Sequence, residues 1–213
     1  MDDVDLARMR LEYETAGMAE SDLDPDPVVQ FNAWLRVAVD AELVEPNAMV
    51  VSTVDGEGQP WSRYLLLKKA DHDGFDFYTN YEGNKSVQLE ANPRAALTFG
   101  WLALRRQVNV AGPVSRVPAE ESDAYWAVRP RGSQIGSWAS QQSRPIADRE
   151  ELLRRYRAIE SEHDGPVPRP VHWGGWRLWP HTIELWQGRP NRLHDRIRYT
   201  RDGSGWTMSR LAP

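Results

Sequence analysis

Apolar residues first take up a helical rhythm at Phe31, Trp34, Leu35, Ala38 and Val39, a spacing that turns one stripe of a helix toward a core. Asp26 followed by Pro27 supplies a cap and a first turn, so a helix is predicted from residue 27. The rhythm then shortens. "AMVVSTV", the turn "DGEGQP" and "WSRYLLLKK" read as strand, turn, strand, with Asp and Gly providing the turn chemistry. "FDFYT", "AALTFGW" and "RQVNVAGPVSRV" continue the strands, and a short helix, "NKSVQLEAN", is stopped at Asn92-Pro93. "PAEESDAYWAVRP" opens with Pro118 and two acids, a favourable helix start. A long charged helix follows in "ADREELLRRYRAIESEH", with apolar positions at Leu152, Leu153, Tyr156 and Ile159. The last third returns to strands in "WGGWRLWP", "HTIELWQG", "RLHDRIRYT" and "WTMSRL".

Strands joined by short turns and interrupted by helices predict a mainly β, antiparallel barrel with peripheral helices, in the α+β class. The βαβ alternation of a parallel sheet is missing. Residues 1–24, polar and acidic up to "DLDPDP", read as a mobile arm with a short helix around Asp5–Tyr13, and 25–213 as one domain.

The stretch "WQGRPNRLHDRIRY" raises a question of charge. With a period of two, Arg192, His194, Arg196 and Arg198 share one face, and Leu193, Asp195, Ile197 and Tyr199 the other. Like charges on one strand face repel, so an anion that offsets them is expected. A solvated edge strand protected by its basic residues is the alternative.

Charge elsewhere narrows the function. Against 31 Asp and Glu stand 26 Lys and Arg, for a formal net charge of −5. That balance argues against a nucleic-acid binder, whose footprint is a clearly basic domain. With no cysteine, thiolate metal sites and cysteine nucleophiles drop out. The N-terminal "MDDVDLARMR" lacks the apolar core of a signal peptide, and no apolar run is long enough for a membrane helix. A cytoplasmic protein without membrane or nucleic-acid partners is expected. The ten Trp suit a core or a planar ligand, the core being the commoner use.

Catalytic motifs are scarce. The five His show no metal-ligand spacing, and there is no phosphate-loop or nucleophile-elbow sequence. "RPRGSQIGSW" combines Arg129, Arg131 and Ser133 in a composition that suits a phosphate, with a plain turn as the alternative. Anion-binding segments without a nucleophile or metal indicate a cofactor that carries the chemistry.

The segments "RYLLLK", "FYTN", "NPRAALTFGW", "RQVNVAG", "RPRGSQIGSWASQQS", "HWGGWRL", "IELWQG", "RLHDR" and the terminal "RLAP" resemble the pyridoxine/pyridoxamine 5′-phosphate oxidase family, in order from about Arg10 to Pro213. The resemblance implies an FMN-binding split β-barrel that forms a homodimer with sites at the subunit interface. It also implies oxidation of pyridoxine 5′-phosphate or pyridoxamine 5′-phosphate to pyridoxal 5′-phosphate, with O2 reduced to H2O2.

By the same resemblance FMN falls to Arg63, Tyr64, Leu65, Leu66, Leu67, Lys68, Tyr78, Thr79, Asn84, Lys85, Gln107, Gln142, Ser143, Trp186 and Arg196. The substrate falls to Lys68, Tyr125, Arg129 and Ser133 at its phosphate and to Arg192 and His194 at its ring, with Arg10 and Tyr13 as a cover. Arg192 and His194 are the catalytic candidates, in positioning and electrostatic roles. Two points stand out. Arg63 and Lys68 are five apart, so a regular strand would turn them to opposite faces; a bulge, or service to different ligands, would reconcile them. Asn84 stands where the family commonly has an arginine at the flavin phosphate. Because fold does not fix function, another split-barrel flavin or deazaflavin reductase and a non-catalytic flavin or pyridoxal-phosphate carrier remain open.

Overall fold

The computed structural model of the chain describes residues 17–213. Arg10, Tyr13 and the short helix expected near them lie outside these residues. Five α-helices and ten strands are present among the described residues, and every strand pair whose register is recorded is antiparallel. No helix is long and apolar enough to cross a membrane. The chain forms two compact units. One comprises the described residues up to Asn47 with Thr98–Val110 and His181–Pro213; the other comprises Ala48–Leu97 and Ala111–Pro180.

In the first unit helix α1 (Pro27–Asp40) starts as its sequence predicts. The Asp26 carboxylate accepts from the N–H groups of Val28 and Val29, at 2.8 and 3.3 Å, a cap that satisfies otherwise orphaned donors. The helix buries Phe31, Trp34 and Ala38. Phe31 meets Phe99 edge to face at 4.8 Å, the offset geometry that aromatic quadrupoles favour. Strands β8 (Thr182–Gln187), β9 (Asp195–Asp202) and β10 (Gly205–Leu211) form a meander. Upstream of helix α1, Met18 is buried and its N–H donates to the Asp195 carboxylate.

In the second unit strands β1 (Ala48–Val54) and β2 (Pro60–Leu66) pair through the predicted hairpin, where Asp55 Oδ1 accepts from the N–H groups of Glu57 and Gln59. Strand β3 (Lys69–Asp71) pairs with β4 (Gly74–Asn80), which pairs with β7 (Trp173–Leu178). Strands β5 (Arg94–Trp101) and β6 (Arg106–Arg116) have residues in both units. Helix α2 (Asn84–Ala91) and helix α3 (Ala119–Ala127) lie where the sequence predicts them. Helix α5 (Arg149–Glu162) is capped by Asp148, which accepts the Glu151 N–H at 2.7 Å. One element is absent from the sequence reading: the segment that offered either a phosphate site or a plain turn is helix α4 (Arg131–Ala139). Its two glycines lower helix propensity, but Ile135 and Ala139 bury one side of it, with Ile135 in a cluster with Trp126, Val167 and Trp173. Tertiary burial outweighs local preference there.

Strands β4 and β7 are buried almost throughout, so their charges must be neutralised internally. Asp76, with no exposed surface, sits directly opposite Arg177 in the register. Arg177 donates through Nε and Nη2 to the two carboxylate oxygens, each at 2.7 Å, and Nη2 also reaches Glu121 on helix α3 at 2.7 Å. Arg177→Ala would strand the Asp76 carboxylate and is expected to cost about 3–5 kcal/mol of stability, read from the urea unfolding midpoint. A loss below about 1 kcal/mol would show that water or another donor replaces the guanidinium.

Candidate functional site

Two clusters in the second unit collect most of the residues that the resemblance selects there. The first is a cavity of about 270 Å³ lined by Trp61, Ser62, Arg63, Asn84, Lys85, Gln88 and Ser143. Lys85, in the first turn of helix α2, is buried. Its Nζ donates to Thr79 Oγ1 at 3.0 Å and to Gln142 Oε1. Arg63, on strand β2, donates to the Val51 carbonyl at 3.2 Å, Thr53 Oγ1 at 2.6 Å and Gln88 Oε1 at 3.0 Å. Every one of these acceptors is neutral. Among the described residues neither cation has a carboxylate partner, although burying unpaired charge is costly.

The cost shows in proton affinity. Burial, reinforced by the nearby Arg63 charge, brings the Lys85 ammonium down to about 8, and burial lowers Arg63 as well. The first turn of helix α2 adds the partial positive charge of its amides. The Asn84 N–H donates to Ser143 Oγ at 3.2 Å, with Ser143 in a left-handed backbone conformation, φ 67°. Gly83 precedes the helix, and a Cβ there would run into the Gln142 side chain. Two cations, a hydroxyl and a helix N-terminus fit a phosphate group, so the donor set agrees with the flavin phosphate expected at Arg63, Thr79, Asn84, Lys85, Gln142 and Ser143.

The second cluster lines a cavity of about 470 Å³ that includes Tyr64, Leu65, Leu66, Lys68, Tyr78, Tyr125, Arg129, Ser133 and Trp173. Tyr78, Tyr125 and Trp173 form an aromatic wall, with the Tyr78 and Trp173 rings stacked at 5.6 Å and 18°. The Arg129 guanidinium lies 4.3 Å from the Trp173 ring centre and donates to Ser137 Oγ at 3.1 Å and the Ser133 carbonyl at 3.2 Å. Again its partners are uncharged. The Lys68 ammonium lies 5.8 Å from the Tyr125 ring centre. Burial, then the Asp76 carboxylate, push the Tyr78 hydroxyl up to about 12, so it stays neutral at physiological pH. The arrangement suits a flat ring bearing an anionic group. An adjoining recess of about 300 Å³ shares Leu65, Tyr78, Arg129, Ser133 and Trp173 with it and adds Thr79 and Gln142.

The spacing of Arg63 and Lys68 is thereby explained. Strand β2 ends at Leu66, buried Leu67 follows, and Lys68 sits before strand β3, its N–H donating to the Asp76 carbonyl. The two cations line different cavities.

The remaining predicted residues, Gln107, Trp186, Arg192, His194 and Arg196, belong to the first unit. Here the strand-face reading needs correction. Strand β9 begins only at Asp195, because Asn191 and Arg192 both adopt left-handed backbone, φ 56° and 62°, so Arg192 and His194 precede the strand. Beyond that point the period of two holds, with Ile197 and Tyr199 buried. Arg196 and Arg198 share one internal counter-charge: buried Glu184 on strand β8 accepts from Arg196 at 2.7 and 2.9 Å and from Arg198 at 2.8 and 3.2 Å. His194 Nδ1 accepts the Arg189 N–H at 3.0 Å. That bond assigns the proton of the neutral ring to Nε2, so the imidazole is set to donate. Its ring lies 4.7 Å from that of Trp186.

Sequence reasoning missed Thr53 and Gln88. Both are buried, as neutral polar residues rarely are without a partner, but only the fold brings them to Arg63.

Comparison with known proteins decides the family. Residues 35–162 match the model for pyridoxamine 5′-phosphate oxidase, and residues 173–213 the model for the pyridoxine 5′-phosphate oxidase C-terminal dimerisation region. This chain belongs to the pyridoxine/pyridoxamine 5′-phosphate oxidase family. The pyridoxine/pyridoxamine 5′-phosphate oxidase of Rubrobacter xylanophilus is 56% identical over 98% of this chain and 97% of its own, and that of Cyanothece sp. 48% identical over 99% of each. Among solved structures, PhzG from Burkholderia lata 383, in complex with tetrahydrophenazine-1-carboxylic acid, superposes with a TM-score of 0.86 at 30% identity, covering 91% of this chain and 95% of its own. The fold is the antiparallel split β-barrel expected from the sequence, and the matched dimerisation region supports a homodimer.

The Lys85 environment yields a test. Because the free ammonium titrates near 8, binding of inorganic phosphate is expected to hold steady up to about that pH and then weaken about tenfold per unit. Titration calorimetry between about pH 7.5 and 9.5 reads this, and Lys85→Met should remove the dependence. A flat profile in the unaltered protein would take Lys85 out of the anion site.

Proposed function

We propose that this protein is an FMN-dependent oxidase that converts pyridoxine 5′-phosphate and pyridoxamine 5′-phosphate to pyridoxal 5′-phosphate. The observation that carries the reading is the pair of cavities, each with cations that no described carboxylate neutralises. A flavin mononucleotide and a phosphorylated pyridine each bring one phosphate. Full-length relatives at 48–56% identity supply the reaction class.

When bound, FMN would accept a hydride from the C4′ carbon of the substrate and deliver the electrons to O2, giving H2O2. The amine substrate would also take up water and release ammonia. The protein's part is to hold, orient and exclude water. Arg63, Lys85, Asn84 and Ser143 would hold the flavin phosphate, and Lys68, Tyr125, Arg129 and Ser133 the substrate phosphate. Binding energy collected at a phosphate, away from the reacting carbon, orients that carbon for transfer. Unphosphorylated pyridoxine should therefore react poorly. The aromatic wall supplies a dry, flat surface for the ring. Arg192 and His194 would face the pyridine ring in a homodimer with its sites at the subunit interface. A hydrogen-bond donor at His194 Nε2 would stabilise negative charge on the substrate rather than remove a proton.

A second reading follows from the PhzG neighbour: oxidation of a ring carboxylic acid of the kind bound there. Anaerobic reaction in one cuvette separates the two. With FMN reconstituted, pyridoxine 5′-phosphate is expected to bleach the flavin absorption as pyridoxal 5′-phosphate forms, with the colour returning on admission of air. Bleaching by the ring acid alone would transfer the assignment to the second reading. Bound flavin that neither compound bleaches would mean a reductase or a carrier.

Asn84 has a separate consequence. Where the family commonly has a cation it offers only hydrogen bonding, and the loss of one charge-assisted bond is worth about 1–3 kcal/mol. Asn84→Arg should tighten FMN binding by about five- to a hundredfold on that scale, measured by quenching of flavin fluorescence. Equal affinities would show that Asn84 makes no difference at the phosphate.

A further inference from the structure

We infer that Gln88 and Thr53 are positioning residues that fix the charge of the smaller cavity at plus two, making it selective for a phosphate dianion over an uncharged flavin side chain. The inference rests on the FMN reading above and concerns two residues outside the set that the resemblance selects.

Gln88 lies three residues after Lys85 on helix α2, so both project from the buried side of that helix. Thr53 and Arg63 lie on the paired strands β1 and β2. Arg63 is opposite Val51, so Thr53 is its diagonal neighbour on the same face. These placements close a ring. Thr53 Oγ1 accepts from Arg63 Nη1 at 2.6 Å and donates to Gln88 Oε1 at 2.6 Å, and Gln88 Oε1 accepts from Arg63 Nη2 at 3.0 Å. The Val51 carbonyl takes a further Nη1 donor.

A guanidinium has five N–H donors. The ring and the Val51 carbonyl use three, leaving Nε–H and one Nη2 N–H without a partner among the described residues. Those two form the fork that grips an oxyanion bidentately. Because Thr53 and Gln88 are buried, the guanidinium is held from behind with little freedom to turn.

The neutrality of the holders matters as much as their position. A carboxylate at position 88 would satisfy Arg63 equally well and would cancel its charge. The lining would then carry one net positive charge instead of the two from Arg63 and Lys85, since its other members, Trp61, Ser62, Asn84 and Ser143, are uncharged. With an amide at position 88 the charge is left for the ligand, and the ordering is supplied in advance.

Equilibrium binding of FMN and of riboflavin to the full-length apoprotein, followed by quenching of flavin fluorescence, tests this. The two ligands share the ring and differ in the phosphate, so their affinity ratio isolates the cavity. Gln88→Glu is expected to lower the FMN-to-riboflavin ratio at least about tenfold with riboflavin affinity unchanged. Thr53→Val, which removes the hydroxyl at nearly constant size, should lower it about threefold or more. A ratio equal to the unaltered protein's in both variants overturns the inference. If Gln88→Glu fails to fold, shown by a lost cooperative melt, an unchanged ratio in Thr53→Val alone overturns it. An unaltered protein without preference for FMN over riboflavin would instead sink the FMN reading and this inference with it.

Discussion

The register of strands β4 and β7 depends on one buried ion pair. Both strands are enclosed almost throughout, and Asp76, with no exposed surface, has Arg177 as its direct partner across the ladder. A slip of one residue would separate the two charges and turn every side chain of the strand to the other face. Well-packed apolar residues in place of the pair would hold the strands equally well, but they would not specify the alignment. The alignment matters because the same strands carry Tyr78, Thr79 and Trp173, which line the candidate cavities. Glu121 extends the pair onto helix α3, the helix of Tyr125.

Cations in this protein fall into two groups by what they are bonded to. Arg177 is paired with the carboxylates of Asp76 and Glu121, and Arg196 and Arg198 share the carboxylate of Glu184, each within its own unit. Arg63, Lys85 and Arg129 are bonded to carbonyls, hydroxyls and amides. The first group ties elements of the fold together, and the second lines the cavities with charge that no described carboxylate offsets. Arg196 is instructive, since the resemblance selects it for the cofactor while the structure gives much of its hydrogen bonding to Glu184 and the Ala212 carbonyl. Its orientation is set by that contact, whatever its remaining donors reach.

Much of the candidate site was legible as sequence. Arg63 to Leu66 with Lys68, the Asn84-Lys85 pair, Arg129 and Ser133 could be selected from their motifs, and the structure gathers them around cavities; Arg131 is instead held by the Gly165 and His163 carbonyls. The division of Arg63 and Lys68 between two cavities was legible only as a tension in strand parity, because a strand break depends on pairing with residues distant in sequence. Helix α4 was not foreseen, since its segment admits either a phosphate site or a plain turn. Its glycines and flanking proline are turn signals, and the burial of Ile135 that overrides them comes from Trp126, Val167 and Trp173.

The sequence by itself determined the antiparallel β character, the capped start of helix α1, the hairpin at Asp55–Gln59 and the family. These rest on local periodicity, capping and turn chemistry, and on motifs that are contiguous in the chain. Only the tertiary structure decided which cations meet a carboxylate and which meet only neutral groups. Glu184 faces Arg196 and Arg198 from the neighbouring strand, and Thr53, Arg63 and Gln88 meet from two strands and a helix. Electrostatic compensation acts through space over a few ångströms, and the chain distances that separate those partners carry no record of it.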